Sequence, residues 1–328
     1  MLLNKTMSKT ILSGTIHVLT DKENQIYTPM YPTSRKDLIE GLENVDNIHD
    51  INKYVDKANK DGQGNNIVST YFTKDSFNSY HNEFYTNYMS KNKIFRGKEI
   101  TESWASISNK AKTDNYTDLY IGDYKIITLT TGEQVVMEIA GFDTYRNGIQ
   151  HIDFISRNCL NTLYAMNTTL TNNGTQANQN PWMASELYSI LNNEVYETLP
   201  NDLKPYIVGK SALIEERYSS AGTVSTTTGR NWYDYGKLWL PTEVEIIGHT
   251  VLGDISVGGC GCCNLQYPIF ANCSGRIIKR VNGTRKDWYL MSAFDNNSTQ
   301  FCAVSSAGTI YGANSNIQMG VPLCFRIA

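Results

Sequence analysis

Long apolar runs are missing from this chain. No stretch approaches the ~18 consecutive apolar residues that a membrane-spanning helix requires. The opening MLLNKTMSKTILSGTIHVLT breaks its apolar positions with Asn4, Lys5, Ser8, Lys9 and Thr10 and shows no small-residue cleavage site. The expectation is a soluble chain made in a reducing cytoplasm. An excess of either charge is missing too: 29 Lys plus Arg stand against 32 Asp plus Glu, and no basic stripe argues for nucleic acid or an anionic membrane. Histidine is scarce, with five residues scattered at positions 17, 49, 81, 151 and 249 and no metal-ligand spacing among them. There is no P-loop, no G-x-S-x-G elbow, no H-E-x-x-H and no D-x-D-x-D-G loop. These absences argue against nucleotide, serine-hydrolase, zinc-protease and EF-hand chemistry. The expectation is a non-enzymatic chain with no cofactor and no resident metal.

The cysteines do not form the framework of a small secreted fold, because there are seven and six of them follow residue 259. Cys260, Cys262, Cys263 and Cys273 follow C-x-C-C-x9-C, which matches no common zinc spacing. Two readings stay open there, a metal cluster and a glycine-rich turn (Gly258, Gly259, Gly261) holding small thiols. His151-Ile152-Asp153 puts both polar side chains on one strand face, as an acid/base pair or as a satisfied structural histidine. Glu215-Glu216, Glu243-x-Glu245 and Asp153 are the carboxylates on which a polysaccharide depolymerase would draw, although neighbouring acids are commonplace on surfaces. Asp295-Asn296-Asn297 offers oxygen ligands for an ion.

Tyrosine is what the chain has in abundance, 21 against 10 Phe, alongside much Asn, Thr and Ser. Tyrosine supplies contact area at low entropic cost, and amides beside it suit hydroxyl-rich ligands; tyrosines also fill half-buried strands. The candidate contact residues are Trp232, Tyr233 and Tyr235 in the segment Asn231–Tyr235, with Asn296, Asn297, Tyr311, Asn314 and Asn316 in two Asn-rich loops near the end. Asn also tolerates positive φ, so the same loops read equally as turns.

Three textures follow one another. Thr15–Leu19 alternates as a strand, Asp21–Asn24 reads as a turn and Gln25–Tyr27 as the return strand. From Ser34 the period is helical, with Leu38, Leu42, Val45, Ile48, Ile51 and Val55 on one narrow seam, broken at Asp61–Gly64. A seam this narrow buries little unless it packs on another domain or on copies of itself. Phe77, Tyr80, Phe84 and Tyr88 form a second helical stripe. After Asn115 the texture is globular and β-rich: strands over Tyr120–Leu129 and Gln134–Phe142, a polar loop from Asn167 to Asn180, and a helix from Trp182 to Tyr196 with Leu187, Ile190, Leu191 and Val195 inward. A second long loop, Ser219 to Gly229, leads to short strands as far as Ala328.

Two segments carry resemblances. Gly41-Leu42-Glu43-Asn44-Val45-Asp46-Asn47, continuing through Asp50–Lys53 to Lys60–Ile67 and Thr70-Tyr71, resembles the linker of phage tail and head fibres. Tyr54 departs from it, where that linker often has Pro. This resemblance implies a trimeric stalk. Residues 118–328 are similar to a domain family of unassigned function found in bacteria and phages. The marks are Gly122-Asp123-Tyr124, Ala140–Asp143, His151–Asp153, Trp182 through Asn192, Leu240–Glu243, Trp288–Ala293, Phe301–Val304, Gly308 and Gly320–Ile327. Its W-x-x-x-S…G…G-V-P…F-R-I ending resembles C-type-lectin-like folds. Met291-Ser292 stands where that family usually has Arg-Ser or Arg-Thr, so no ligand chemistry carries over residue by residue.

The expected architecture is α+β: an N-terminal β-hairpin that docks to a virion (residues 1–32), a short helical trimeric stalk (33–117) and a β-rich C-type-lectin-like head (118–328). Leu38, Leu42, Val45, Ile48 and Val55 would hold the homotrimer. The expected function is that of a bacteriophage virion fibre, assembled in the host bacterial cytoplasm. Its partners would be other virion proteins at the N-terminus and a host-surface glycan or protein at the head, with no nucleic acid and no membrane insertion. The alternatives are a capsid-decorating or tail-assembly protein without a receptor and, third, a depolymerase.

Overall fold

The computed structural model describes residues 16–21, 26–30, 94–144, 149–254 and 266–328. The seam from Leu38 to Val55, the fibre-like linker, the stripe from Phe77 to Tyr88, and Cys260, Cys262 and Cys263 lie outside them. Two compact units divide the chain, Met1–Tyr80 and His81–Ala328. No helix among the described residues is long and apolar enough to cross a membrane.

In the first unit, β1 (Ile16–Asp21) pairs antiparallel with β2 (Ile26–Met30), Ile16 facing Met30 and Leu19 facing Tyr27, with an irregularity before Asp21. The expected hairpin is present, and its return strand runs on through Pro29. A proline is tolerated there because each strand of a two-stranded ribbon has a free edge.

The second unit is β-rich with a few short helices. Its main sheet has the order β3-β4-β5-β14-β6, antiparallel throughout. The strands are β3 (Tyr124–Thr128), β4 (Gln134–Phe142), β5 (Ile152–Cys159), β6 (Ile207–Val208) and the C-terminal β14 (Pro322–Ile327). β3 is shorter than the periodicity predicts because the chain turns at Gly122, whose φ is 77°. A Cβ there would lie 2.2 Å from the Phe95 ring, so only glycine fits.

Both faces of β14 are buried, and Phe325 pairs across strands with Phe154, their rings stacked at 5.5 Å. Helix α1 (Trp104–Lys112), capped by Ser103, lays Trp104 edge-on against both rings, 5.4 Å from Phe154 and 5.8 Å from Phe325. The expected boundary at 117/118 therefore falls inside this packing. The globular unit takes in residues ahead of it: Arg96 donates to Asp123 at 3.0 and 2.5 Å, and the Ser108 hydroxyl donates to the Ala328 carbonyl at 2.7 Å.

The predicted helix over Trp182–Tyr196 is shorter. It runs as α2 (Glu186–Ile190), capped by Ser185, and widens into a π-turn at Leu191–Val195. Leu187, Leu191 and Val195 are buried as the period requires. The π-turn carries Asn192, whose amide donates to the Leu238 carbonyl at 2.9 Å while its oxygen accepts from Lys237 and Leu238 N–H at 2.8 and 3.0 Å. A ribbon, β7 (Ser211–Glu216) with β8 (Gly229–Asp234), brackets the loop expected from Ser219 to Gly229. Short helices α3 (Glu243–Ile247) and α4 (Pro268–Asn272) follow. The hairpin β9 (Arg280–Val281) and β10 (Thr284–Arg285) then leads into a three-stranded sheet of β11 (Trp288–Ala293), β12 (Gln300–Val304) and β13 (Ile310–Asn314).

Candidate functional site

A cleft of about 540 Å³ opens beside the three-stranded sheet, within the size range of small-ligand sites. Four separate pieces of chain build it: Arg285 at the end of β10 with Lys286 and Asp287 after it; Gln300 at the start of β12; Ser306 in the β12–β13 turn; and Tyr311 to Asn314 with Ile317, Gln318 and Met319.

The hairpin geometry follows from two residues. Asn282 and Gly283 have φ of 47° and 81°, the positive pair that a tight two-residue turn demands and that Asn-Gly supplies cheaply. Asp287 is then held from both sides. One carboxylate oxygen accepts from the Tyr311 hydroxyl at 2.6 Å and the other from the Ser306 N–H at 2.7 Å. Burial and the bond to Asp287 both push the Tyr311 phenol above its ordinary range, so it stays a donor. Behind it the Tyr289 hydroxyl lies 2.6 Å from the Asn314 carbonyl and 2.8 Å from that of Ile317, which fixes the loop carrying Ile317 and Gln318. An amide chain runs along the wall, Asn297 donating to Gln300 and Gln300 to Asn314, each at 3.1 Å. Ile317 is 51% exposed. The cleft thus offers a phenol ring, amides, an apolar edge and cations to one ligand.

Of the eight expected contact residues, Tyr311 and Asn314 line this cleft, and Asn297 reaches it through Gln300. Asn316 is exposed next to it in sequence, and Asn296 is an exposed turn residue with φ of 58°. Trp232 is 56% exposed on β8 and does not line the cleft. Tyr233 is half-buried, its hydroxyl donating to Glu216, and burial together with that bond raises its phenol to about 12. Tyr235 is a correction. It is fully buried, under the Lys210 ammonium at 5.5 Å from its ring, and cannot meet a ligand at the surface. The chain turns inward after β8 at Gly236, and Tyr235 N–H is tied to the Lys210 carbonyl at 2.7 Å.

Arg285, Lys286, Asp287, Gln300 and Gln318 were not among the expected residues. The one signal that could have found the first three is Asn282-Gly283, a hairpin turn flanked by Arg280-Val281 and Thr284-Arg285.

Of the expected carboxylates, Glu216 is half-buried and accepts from the Tyr233 hydroxyl, and the other four are interior. Glu215 accepts from Ala293 N–H at 2.8 Å, with its carboxyl pushed up by burial; Glu243 accepts from Leu252 and Gly253 N–H at 3.0 and 2.9 Å. Glu245 closes a capping box with Thr242 at the start of α3 and pairs with Lys210. Asp153 receives Arg326 through Nε at 2.7 Å and a second guanidinium nitrogen at 2.9 Å, plus the Tyr267 hydroxyl at 2.8 Å. Lys210 donates to that same hydroxyl at 2.7 Å and lies 3.8 Å from the Trp239 ring centroid. Burial pushes the Asp153 carboxyl up, but Arg326 and His151 outweigh it and hold it at about 2. His151 is fully buried, its ring nitrogens 2.9 and 2.6 Å from the carbonyls of Ile149 and Thr144; burial lowers its pKa. These acids are spent on the fold.

Among the described residues no group of three His, Cys, Asp or Glu gathers to hold an ion. The Asn297 side-chain oxygen accepts from Thr299 N–H and hydroxyl at 2.8 and 3.0 Å, and Asp295 accepts from Thr227 N–H at 3.3 Å. Cys273 is a half-buried free thiol, and Cys159, Cys302 and Cys324 are buried free thiols. Burial pushes Cys159 up to about 12.

The model of a family described as a domain of unknown function, DUF6273, matches residues 155–328. No curated protein and no solved structure is significantly similar to the chain.

Proposed function

The chain belongs to the DUF6273 family, and from that premise we propose that it is a non-enzymatic bacteriophage fibre subunit whose globular unit binds a host-surface glycan through the cleft at Tyr311. The observation that carries this reading is the cleft itself. It combines a phenol ring, an apolar edge at Ile317 and Met319, and the amides of Gln300, Asn314 and Gln318 in one cavity. Aromatic and aliphatic surface meets the C–H face of a sugar, and planar amides meet its hydroxyls. The fibre part of the reading rests on the linker-like segment between Gly41 and Tyr71 and on the narrow apolar spacing from Leu38 to Val55 in the sequence. Three copies on one stalk would turn weak single-site affinity into avidity. The head's finer likeness to C-type-lectin-like folds belongs to the same proposal and rests on the ending Trp288–Ile327. Location in the virion and attachment through the N-terminal segment complete it.

Two measurements test it together. Light scattering of the full chain should give a trimer, and a chain starting at His81 should be monomeric. Binding of the full chain to an array of bacterial surface glycans should occur and should be lost in Ile317→Asp and Gln318→Ala, both exposed positions. Retained glycan binding in those variants but loss in Trp232→Ala would move the receptor site to the β7–β8 ribbon. A monomeric full chain that binds no glycan would favour the capsid-decorating alternative.

A further inference from the structure

We infer that the ligand of this cleft is an acidic saccharide, one carrying carboxylate or phosphate groups; this rests on the glycan-binding reading above. The β9–β10 hairpin and its flanks read Lys279-Arg280-Val281-Asn282-Gly283-Thr284-Arg285-Lys286, a concentration of positive charge in a chain of formal net charge −3. Lys279 is accounted for, since it is buried and donates to the Ser156 carbonyl at 2.6 Å. The other three cations are exposed and have no ion-pair or side-chain hydrogen-bond partner among the described residues.

Two of them are placed against each other. Arg280 and Arg285 are directly opposed across the antiparallel pair, an arrangement of like charges that weakens a hairpin. The contrast with the other arginines is sharp. Arg96, Arg157, Arg230, Arg276 and Arg326 each meet a carboxylate of this chain, and the buried Arg217 donates to the carbonyls of Phe294 and Asn297. The acid nearest the cations in sequence, Asp287, is held by Tyr311 and Ser306. Arg285 and Lys286 line the cleft itself. A guanidinium and an ammonium side by side, facing a phenol ring and amides, suit a sugar whose acidic group accepts charge-assisted hydrogen bonds while its ring lies along Tyr311 and Ile317.

The test is surface plasmon resonance with the full chain and four probes: an oligouronate, the same oligosaccharide after carboxyl reduction, an oligo(glycerol phosphate), and oligothymidylate. Two charge-assisted contacts predict that the better acidic probe binds at least about tenfold more tightly than the neutral counterpart. That advantage should shrink with added salt and disappear in Arg285→Gln/Lys286→Gln, whose melting temperature should match the wild type because both side chains are exposed. Gln318→Ala, which keeps the charge, should lose affinity for acidic and neutral sugars alike. Preference for the uronate assigns a carboxylate ligand and preference for the glycerol phosphate a phosphate one; either supports the inference. Equal affinity for the neutral sugar, unchanged in the double variant, would overturn the acidic ligand and leave the glycan reading standing. Absence of binding to every saccharide would overturn both. Oligothymidylate bound as tightly as the best acidic sugar would show that the hairpin reads charge alone, and would overturn the saccharide.

Discussion

The globular unit holds two groups of charged side chains, and it treats them in opposite ways. Under the main sheet, Asp153, Arg326, Lys210, Glu245 and Tyr267 form a buried chain in which each charge has a partner within the protein. At the β9–β10 hairpin beside the cleft, Arg280, Arg285 and Lys286 stand exposed without an ion-pair partner among the described residues. A buried charge must be compensated by the fold, because removal from water costs several kcal/mol per ion. An exposed one is solvated and can stay available for a ligand. The first group should therefore report on stability and the second on binding.

The largest effect expected from breaking that contrast is at Asp153. Asp153→Leu strands the Arg326 guanidinium in the interior and should cost about 3–5 kcal/mol in denaturant unfolding. Adding Arg326→Met should restore a large part of that loss, as an apolar pair replaces an ionic one. A single variant as stable as the wild type would remove the cluster's structural role.

Acid titration comes next. Asp153 is held at about 2 against an ordinary 3.8, so its folded pKa is depressed. Its contribution is present above the unfolded value and is lost as pH falls from 3.8 towards 2. The expected loss from this group is about 2 kcal/mol, and it should be missing from the Asp153→Leu/Arg326→Met pair when unfolding is followed by circular dichroism.

A smaller effect is predicted on the cleft side. Tyr311→Phe removes the hydroxyl that holds Asp287 and should cost about 1 kcal/mol. It should also weaken binding of an acidic oligosaccharide, since the released carboxylate would sit among the cations. Calorimetric unfolding and a binding titration on the same sample would separate the two losses. The smallest effect carries the opposite sign. Arg280→Gln relieves the like-charge pair with Arg285 and should stabilise the fold by a few tenths of a kcal/mol. A clear destabilisation in a thermal melt would mean that Arg280 has a role in the fold after all.

Much of the local structure could be read from residue patterns. The β3–β4 hairpin, the inward face of Leu187, Leu191 and Val195, and the β1–β2 hairpin all follow from periodicity and turn residues within a few positions of each other. Trp232 and Tyr235 show where that reading stops. They belong to one aromatic run, yet Trp232 is 56% exposed and Tyr235 is fully buried. The difference comes from the turn at Gly236 and from Lys210, which no local pattern specifies. The acids show the same limit: as letters, Glu215, Glu243 and Asp153 are as suitable for catalysis as for structure. Arg285 and Lys286 were legible only through the Asn282-Gly283 turn that orients them, and Gln318 gave no signal at all.

By itself, then, the sequence determined the elements, the near balance of charge, the abundance of tyrosine and amide side chains, and membership of a family through its C-terminal half. Those properties are local or additive, so each is present before any two distant residues meet. Tertiary structure alone decided which charges are compensated and which are left open. Arg326 finds Asp153 across 173 positions of chain, and the cleft draws its walls from four separate segments. Whether a charge is buried or available depends on what the rest of the chain packs around it, and only the assembled sheet and its covering elements supply that.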